Sequence, residues 1–181
     1  MKEKGRNKKP ENQDVLELVE TFANTWFSLE AYDTQNFPTS GATKKEVSFT
    51  ADELSQALHE FKQELLVRKQ ATDLFGQEKS KDAVHGIVGN VFQSFDKQDV
   101  YPTVEEKASH LLYFMVKNHP FVDGNKRSGA FAFVWFLRKA GLLQTSLSPE
   151  ALTALTLLVA ESSAKEKERI IGLILLLLQR R

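Results

Sequence analysis

Between Lys126 and Ala140 the chain carries Ala130, Phe131, Phe133, Val134, Trp135, Phe136 and Leu137, an apolar set that covers most of a helix's circumference. A helix apolar on nearly every side is normally central and buried, so the other segments must supply enough apolar surface to enclose it. A chain of 181 residues can do so within one domain, burying about 70% of the surface its unfolded form exposes. Glycine and proline number only 9 and 5, and apolar residues recur mostly at spacings of three and four, so helices should dominate. The expected class is all-α: a helical bundle around a buried central helix, with one short β-hairpin.

Helix starts are marked chemically. Thr50 with Glu53, Thr103 with Glu106 and Ser163 with Glu166 each pair an N-cap hydroxyl with a carboxylate three residues on, which together satisfy two orphan amide groups. Ser148 before Pro149 is a further start, because proline's missing N–H costs nothing in a first turn. The spacing predicts helices over Asn12–Glu30, Ala51–Lys69, Ala83–Phe92, Val104–Asn118, Lys126–Ala140, Pro149–Glu161 and Ala164–Gln179, with Gly141 as a left-handed stop. Gln93–Tyr101 lacks helical periodicity and reads as a strand or hairpin. Residues 1–48 read as a tail, a peripheral helix and the connector Tyr32–Val47, and residues 49–181 as the globular domain. Trp26, Trp135 and the 13 phenylalanines read as core.

Lysine plus arginine and aspartate plus glutamate both number 24, so a protein binding nucleic acid through its whole surface is not expected, and phosphate recognition has to be local. The absence of cysteine excludes disulfides, thiol nucleophiles and thiolate metal sites. No apolar run reaches the length of a membrane span, and the charged start is no secretory signal; the expected location is the cytoplasm. The basic start (Lys2, Lys4, Arg6, Lys8, Lys9) reads as a solvated terminus, and Ile170–Leu178, before Arg180 and Arg181, as core. His59, His85 and His110 read as structural and lack zinc-site spacing.

The segment that carries chemistry is His119-Pro120-Phe121-Val122-Asp123-Gly124-Asn125-Lys126-Arg127-Ser128-Gly129. Pro120 ends one helix and Gly124 allows a tight path into the next, which holds a polar loop between two core helices. The first-turn N–H groups of the second helix form a natural anion site, to which Lys126 and Arg127 add cations. Cations at a positive helix end are disfavoured unless an anion sits there, so phosphate is the natural ligand. Asp123 is a hard oxygen ligand of the kind that holds Mg²⁺ beside nucleotide phosphates, and the His119 imidazole can accept a proton near neutrality. A base, a metal carboxylate and an anion cradle are nearly all that phosphoryl-type transfer requires.

These residues resemble the signature of the Fic/Doc family, His-Pro-Phe-x-Asp/Glu-Gly-Asn-Gly/Lys-Arg-x-x-Arg, which His119, Pro120, Phe121, Asp123, Gly124, Asn125, Lys126 and Arg127 match position by position. The likeness continues upstream through Val100–Ala108 and Lys117-Asn118. The resemblance implies an all-α fold with a hairpin flap that docks the target polypeptide, expected within Gln93–Tyr101. It implies transfer of a phosphate-containing group, most often AMP, from ATP to a protein hydroxyl. His119 is then the base and Asp123 the Mg²⁺ ligand. Gly124, Asn125, Lys126, Arg127 and Ser128 hold the nucleotide, and Phe121 anchors the loop.

Two departures bear on the reaction. Lys126 stands where AMP-transferring members keep glycine, and Ala130 where the last arginine of the signature falls. The lysine resembles the Doc-like branch, in which the γ-phosphate faces the attacking hydroxyl and kinase-like transfer follows. Ser162 and Glu166 have the spacing of the family's inhibitory helix, but Lys167 follows in place of glycine or asparagine, so self-inhibition is not expected and a separate antitoxin-like partner protein is the implied restraint. The contrasting reading is a catalytically idle module that keeps the fold and binds a partner protein or nucleic acid.

Overall fold

The computed structural model describes residues 11–143 and 147–179. The basic start and Arg180 and Arg181 lie outside the described residues. The chain divides into two compact units, Met1–Phe37 and Pro38–Arg181. Among the described residues no helix is long and apolar enough to cross a membrane.

In the first unit the single helix expected over Asn12–Glu30 is two, α1 (Glu11–Thr21) and α2 (Ala23–Thr34). Phe22 leaves helical geometry (φ −106°, ψ 19°), and its carbonyl is shared by the N–H groups of Thr25 and Trp26. No residue of α2 is buried, so Trp26, read as core, is half-exposed, as are Phe22 and Phe27. Two short helices offer no third layer against which such side chains can be covered.

The second unit is built from α3 (Ala51–Val67), α4 (Ala83–Val91), α5 (Val104–Lys117), α6 (Asn125–Lys139), α7 (Pro149–Glu161) and α8 (Lys167–Leu178), the last preceded by a 3-10 turn at Ala164–Glu166. The starts marked in the sequence form as expected. Thr50 with Glu53, Thr103 with Glu106 and Ser163 with Glu166 make reciprocal capping boxes, and the Ser148 hydroxyl accepts from the Ala151 N–H. Past α6, Gly141 (φ 73°) bonds to the Arg138 carbonyl and Leu142 to that of Leu137, closing the helix in a Schellman motif.

The expected central helix, α6, is buried through Ser128, Gly129, Ala132, Phe133, Phe136 and Leu137. More completely enclosed is α5, which carries 12 buried residues among its 14. Its first two turns hold Glu105, Glu106, Lys107, Ser109 and His110, groups seldom buried unless paired. Each has a partner. The Glu105 carboxylate accepts from the Thr43 N–H and hydroxyl at 3.1 and 2.7 Å. The Lys107 ammonium lies 2.8 Å from Asp99 and donates to the Tyr101 carbonyl.

The hairpin also forms, from β1 (Ser94–Phe95) and β2 (Gln98–Asp99) in antiparallel register. Positive φ at Asp96 and Lys97 gives the turn the twist that a two-residue loop requires. Through Asp99 the hairpin is fastened to the start of α5.

His110 is the informative buried ionisable group. Its ring stacks on Tyr101 with centroids 3.6 Å apart, and its Nδ1–H donates to the Glu106 carbonyl at 2.8 Å. Burial, which the Glu106 bond only partly offsets, pushes its pKa down to about 4. The unfolded chain therefore takes up a proton below about pH 6.5 that the fold refuses until near pH 4. Stability is lost as the pH falls through that window, by about 2 kcal/mol between pH 7 and 5. Urea unfolding followed across that range should show this loss in the wild type and a flatter profile in His110→Gln; parallel profiles would contradict it.

Candidate active site

The polar loop joins the end of α5 to the start of α6. Past the C-cap Asn118, His119 takes the left-handed conformation (φ 48°) that closes helices, usually the place of glycine. Histidine there costs about 1 kcal/mol, so the loop holds an exposed imidazole in a conformation that its own residue type disfavours. At the same helix end the Lys117 ammonium donates to the carbonyls of Ala160 and Ser162, which fixes the departure point against α7.

Within the loop Phe121 is 2% exposed and serves as the expected anchor. Asn125 grips its backbone from both sides: the Phe121 N–H donates to Oδ1 at 2.8 Å, and Nδ2 donates to the Phe121 carbonyl at 2.9 Å. Both polar ends of the Asn125 side chain thereby brace the loop, leaving the second Nδ2–H and the backbone N–H to meet a ligand. Ser128, expected among the nucleotide contacts, is 1% exposed; its hydroxyl lies in the core, and its N–H is bonded to the Gly124 carbonyl at 2.8 Å. Asp123, Lys126 and Arg127 are exposed, with Asp123 and Arg127 3.6 Å apart.

A second segment, one without helical or strand periodicity, lies along this loop. Between α3 and α4 the chain runs back as a strap: the Gly76 N–H donates to the Asp123 carbonyl at 3.0 Å, Val122 N–H to Gln77 at 2.8 Å and Lys79 N–H to Pro120 at 2.8 Å. The Arg127 guanidinium donates to the Gln70 carbonyl at 2.7 Å and lies over the Phe75 ring, 4.5 Å from its centroid. No periodicity announces such a strap, because what fastens it is backbone paired with backbone.

The hairpin occupies a different place. It is tied to Lys107, while the loop begins past Lys117, about 15 Å further along α5 at 1.5 Å per residue. The hairpin forms within Gln93–Tyr101 as expected, and residues 75–79 are an extended segment that pairs with the loop.

The start of α6 differs from that of its neighbours. Side-chain hydroxyls cap α3, α5 and α7, and the Glu78 carboxylate accepts from the Val84 N–H at the start of α4. At α6 the N-cap is Gly124 (φ 86°), and no side chain caps the first turn. Helix geometry leaves its early N–H groups without partners inside the helix, next to the exposed Lys126 and Arg127, a ready place for an anion. Glu166 caps the turn before α8 from its other end: its carboxylate accepts from the Ser163 N–H at 2.7 Å, which holds the carboxyl below the usual range.

Gly124 is required twice, for its positive φ and because a Cβ there would lie 2.2 Å from the Phe75 ring. Gly124→Ala should cost about 2–5 kcal/mol of stability, conformation and overpacking together. Gly141→Ala, equally left-handed but with nothing within 4 Å of its Cβ, should cost only the conformational part, about 1–2 kcal/mol. Equal losses in urea unfolding would contradict the contact with Phe75.

No curated protein and no solved structure matches the chain. A model of the Fic/DOC family matches residues 46–137, just over half of the sequence, including α3 to α5, the strap, the polar loop and most of α6. The chain belongs to the Fic/DOC family.

Proposed function

We propose that the protein transfers a phosphate-containing group from ATP to a hydroxyl of a target protein, and that the group is the γ-phosphoryl. The observation that carries this reading is the uncapped start of α6, which bears Lys126 and Arg127 and follows a loop bearing His119 and Asp123. Lys126, Arg127 and the first-turn N–H groups would hold the triphosphate, and Asp123 the Mg²⁺ ion beside it. Among the described residues no group of three or more histidines and carboxylates forms a metal site. One accessible carboxylate nonetheless fits Mg²⁺, which is commonly bound through one or two carboxylates together with substrate phosphates. When bound, the ion supplies neutralisation of phosphate charge.

His119 takes the proton of the attacking hydroxyl as the oxygen forms its bond to phosphorus and the bond to the leaving ADP breaks. Lys126 favours the γ-phosphoryl over AMP because a long cation narrows the cradle, and Ala130 offers no second arginine fork. Residues 75–79, alongside the loop, are the segment near which a target polypeptide would lie.

Mass spectrometry of a cell lysate incubated with the protein and ATP–Mg²⁺ tests the reading. The expected outcome is protein bearing added phosphoryl groups; an added adenylyl group would overturn the assignment to Lys126, and no modification would favour the idle module. His119→Ala should lower transfer by about 10²–10⁴-fold while ATP affinity stays within a few-fold. Loss of ATP binding in that variant would contradict its role as base.

A further inference from the structure

We propose that Phe75 is a positioning residue for Arg127: its ring, held on edge beneath Gly124, presents a face that fixes the guanidinium over the start of α6. The proposal rests on the reading of Arg127 as a phosphate contact.

Phe75 is 1% exposed although it lies in the strap rather than in a helix. Aromatic packing sets its orientation. Phe61 of α3 meets it edge-on at 5.7 Å and stacks on Phe131 of α6 at 4.4 Å with planes 7° apart. One side of the ring fills the space where a Gly124 Cβ would stand, and the Arg127 guanidinium lies over its face. The adjoining Gly76 N–H ties the strap to the carbonyl of Asp123. The ring thus meets Gly124 at the N-cap and Arg127 in the first turn of α6, and neighbours the bond to Asp123.

An exposed arginine otherwise samples many rotamers, which an incoming phosphate would have to freeze. Here the Phe75 face and the Gln70 carbonyl fix it beforehand, the latter using one donor on Nη1. Of the five guanidinium donors, the remainder are left for Asp123 and for phosphate. Preorganisation of this kind improves affinity by removing the ordering cost from the binding step.

NMR of the unliganded protein tests the placement directly. The Arg127 side-chain protons should be shifted upfield by the ring and its guanidinium rotation slowed. Phe75→Met, close in volume but without a π face, should abolish both effects, and Phe75→Tyr should keep them. Calorimetric titration with ATP–Mg²⁺ should show binding weakened about two- to fivefold in Phe75→Met, the size of an exposed cation–π contact, with Phe75→Tyr near wild type. In an Arg127→Ala background Phe75→Met should weaken binding no further. Free-arginine resonances in the wild type, or an equal effect of Phe75→Met with and without the arginine, would overturn the proposal. A wild type that binds no ATP–Mg²⁺ would instead overturn the phosphate reading, and the resonance comparison would still decide the positioning.

Discussion

The close approach of α5 and α6 at Gly129 is the constraint on which the rest of the site depends. A Cβ at Gly129 would lie 2.8 Å from Val116 Cγ2 and 3.3 Å from the Met115 Cβ, so the helices meet almost backbone to side chain one turn into α6. That contact, with Phe121 buried behind it, leaves a short loop to reverse the chain. The polar residues of the loop are therefore held at one end of two buried helices, and the positive φ of His119 and of Gly124 follows from the tightness of that reversal. Fixing the loop this way holds it directly before the uncapped first turn of α6, with Asn125 and the strap bracing it from either side.

Polar groups buried around α5 form the second layer of the design. Glu105, Glu106 and Lys107 each find partners in segments outside the helix or at its cap, from Thr43 to Asp99 and Tyr101. Paired burial of this sort adds less net stability than it adds geometric specificity. It fastens the connector and the hairpin to the start of α5, while Lys117 fastens its end to α7. The helix that leads into the loop is thus held at both ends as well as along its length.

Much of this was legible in the sequence because the signals were local. A capping hydroxyl and its carboxylate lie three residues apart, a helix stop is a glycine, and the loop's chemistry lies within eleven consecutive residues. What was not legible depends on residues far apart in the chain. The strap pairs Gly76 with Asp123 and Gln77 with Val122 through backbone groups that carry no residue signature. For the same reason α5 reads as amphipathic although it is enclosed: its polar face is covered by partners that only the fold supplies. Asn125 and Ser128 show the limit inside the motif itself. Residue type points only to ligand contacts, while position also gives Asn125 the work of bracing Phe121 and puts the Ser128 side chain in the core. Trp26 erred in the opposite direction, since an apolar residue predicts burial only where a further layer exists to cover it.

The proposed transfer requires that the start of α6 receive phosphate. Titrating ¹⁵N-labelled protein with ATP–Mg²⁺ while following each backbone amide reads this most directly. The amides of Asn125, Lys126 and Arg127 should shift most and saturate together with Gly124, while those at the capped starts of α3 and α7 remain in place. Shifts centred on another element, or none at saturating ATP, would contradict the central claim.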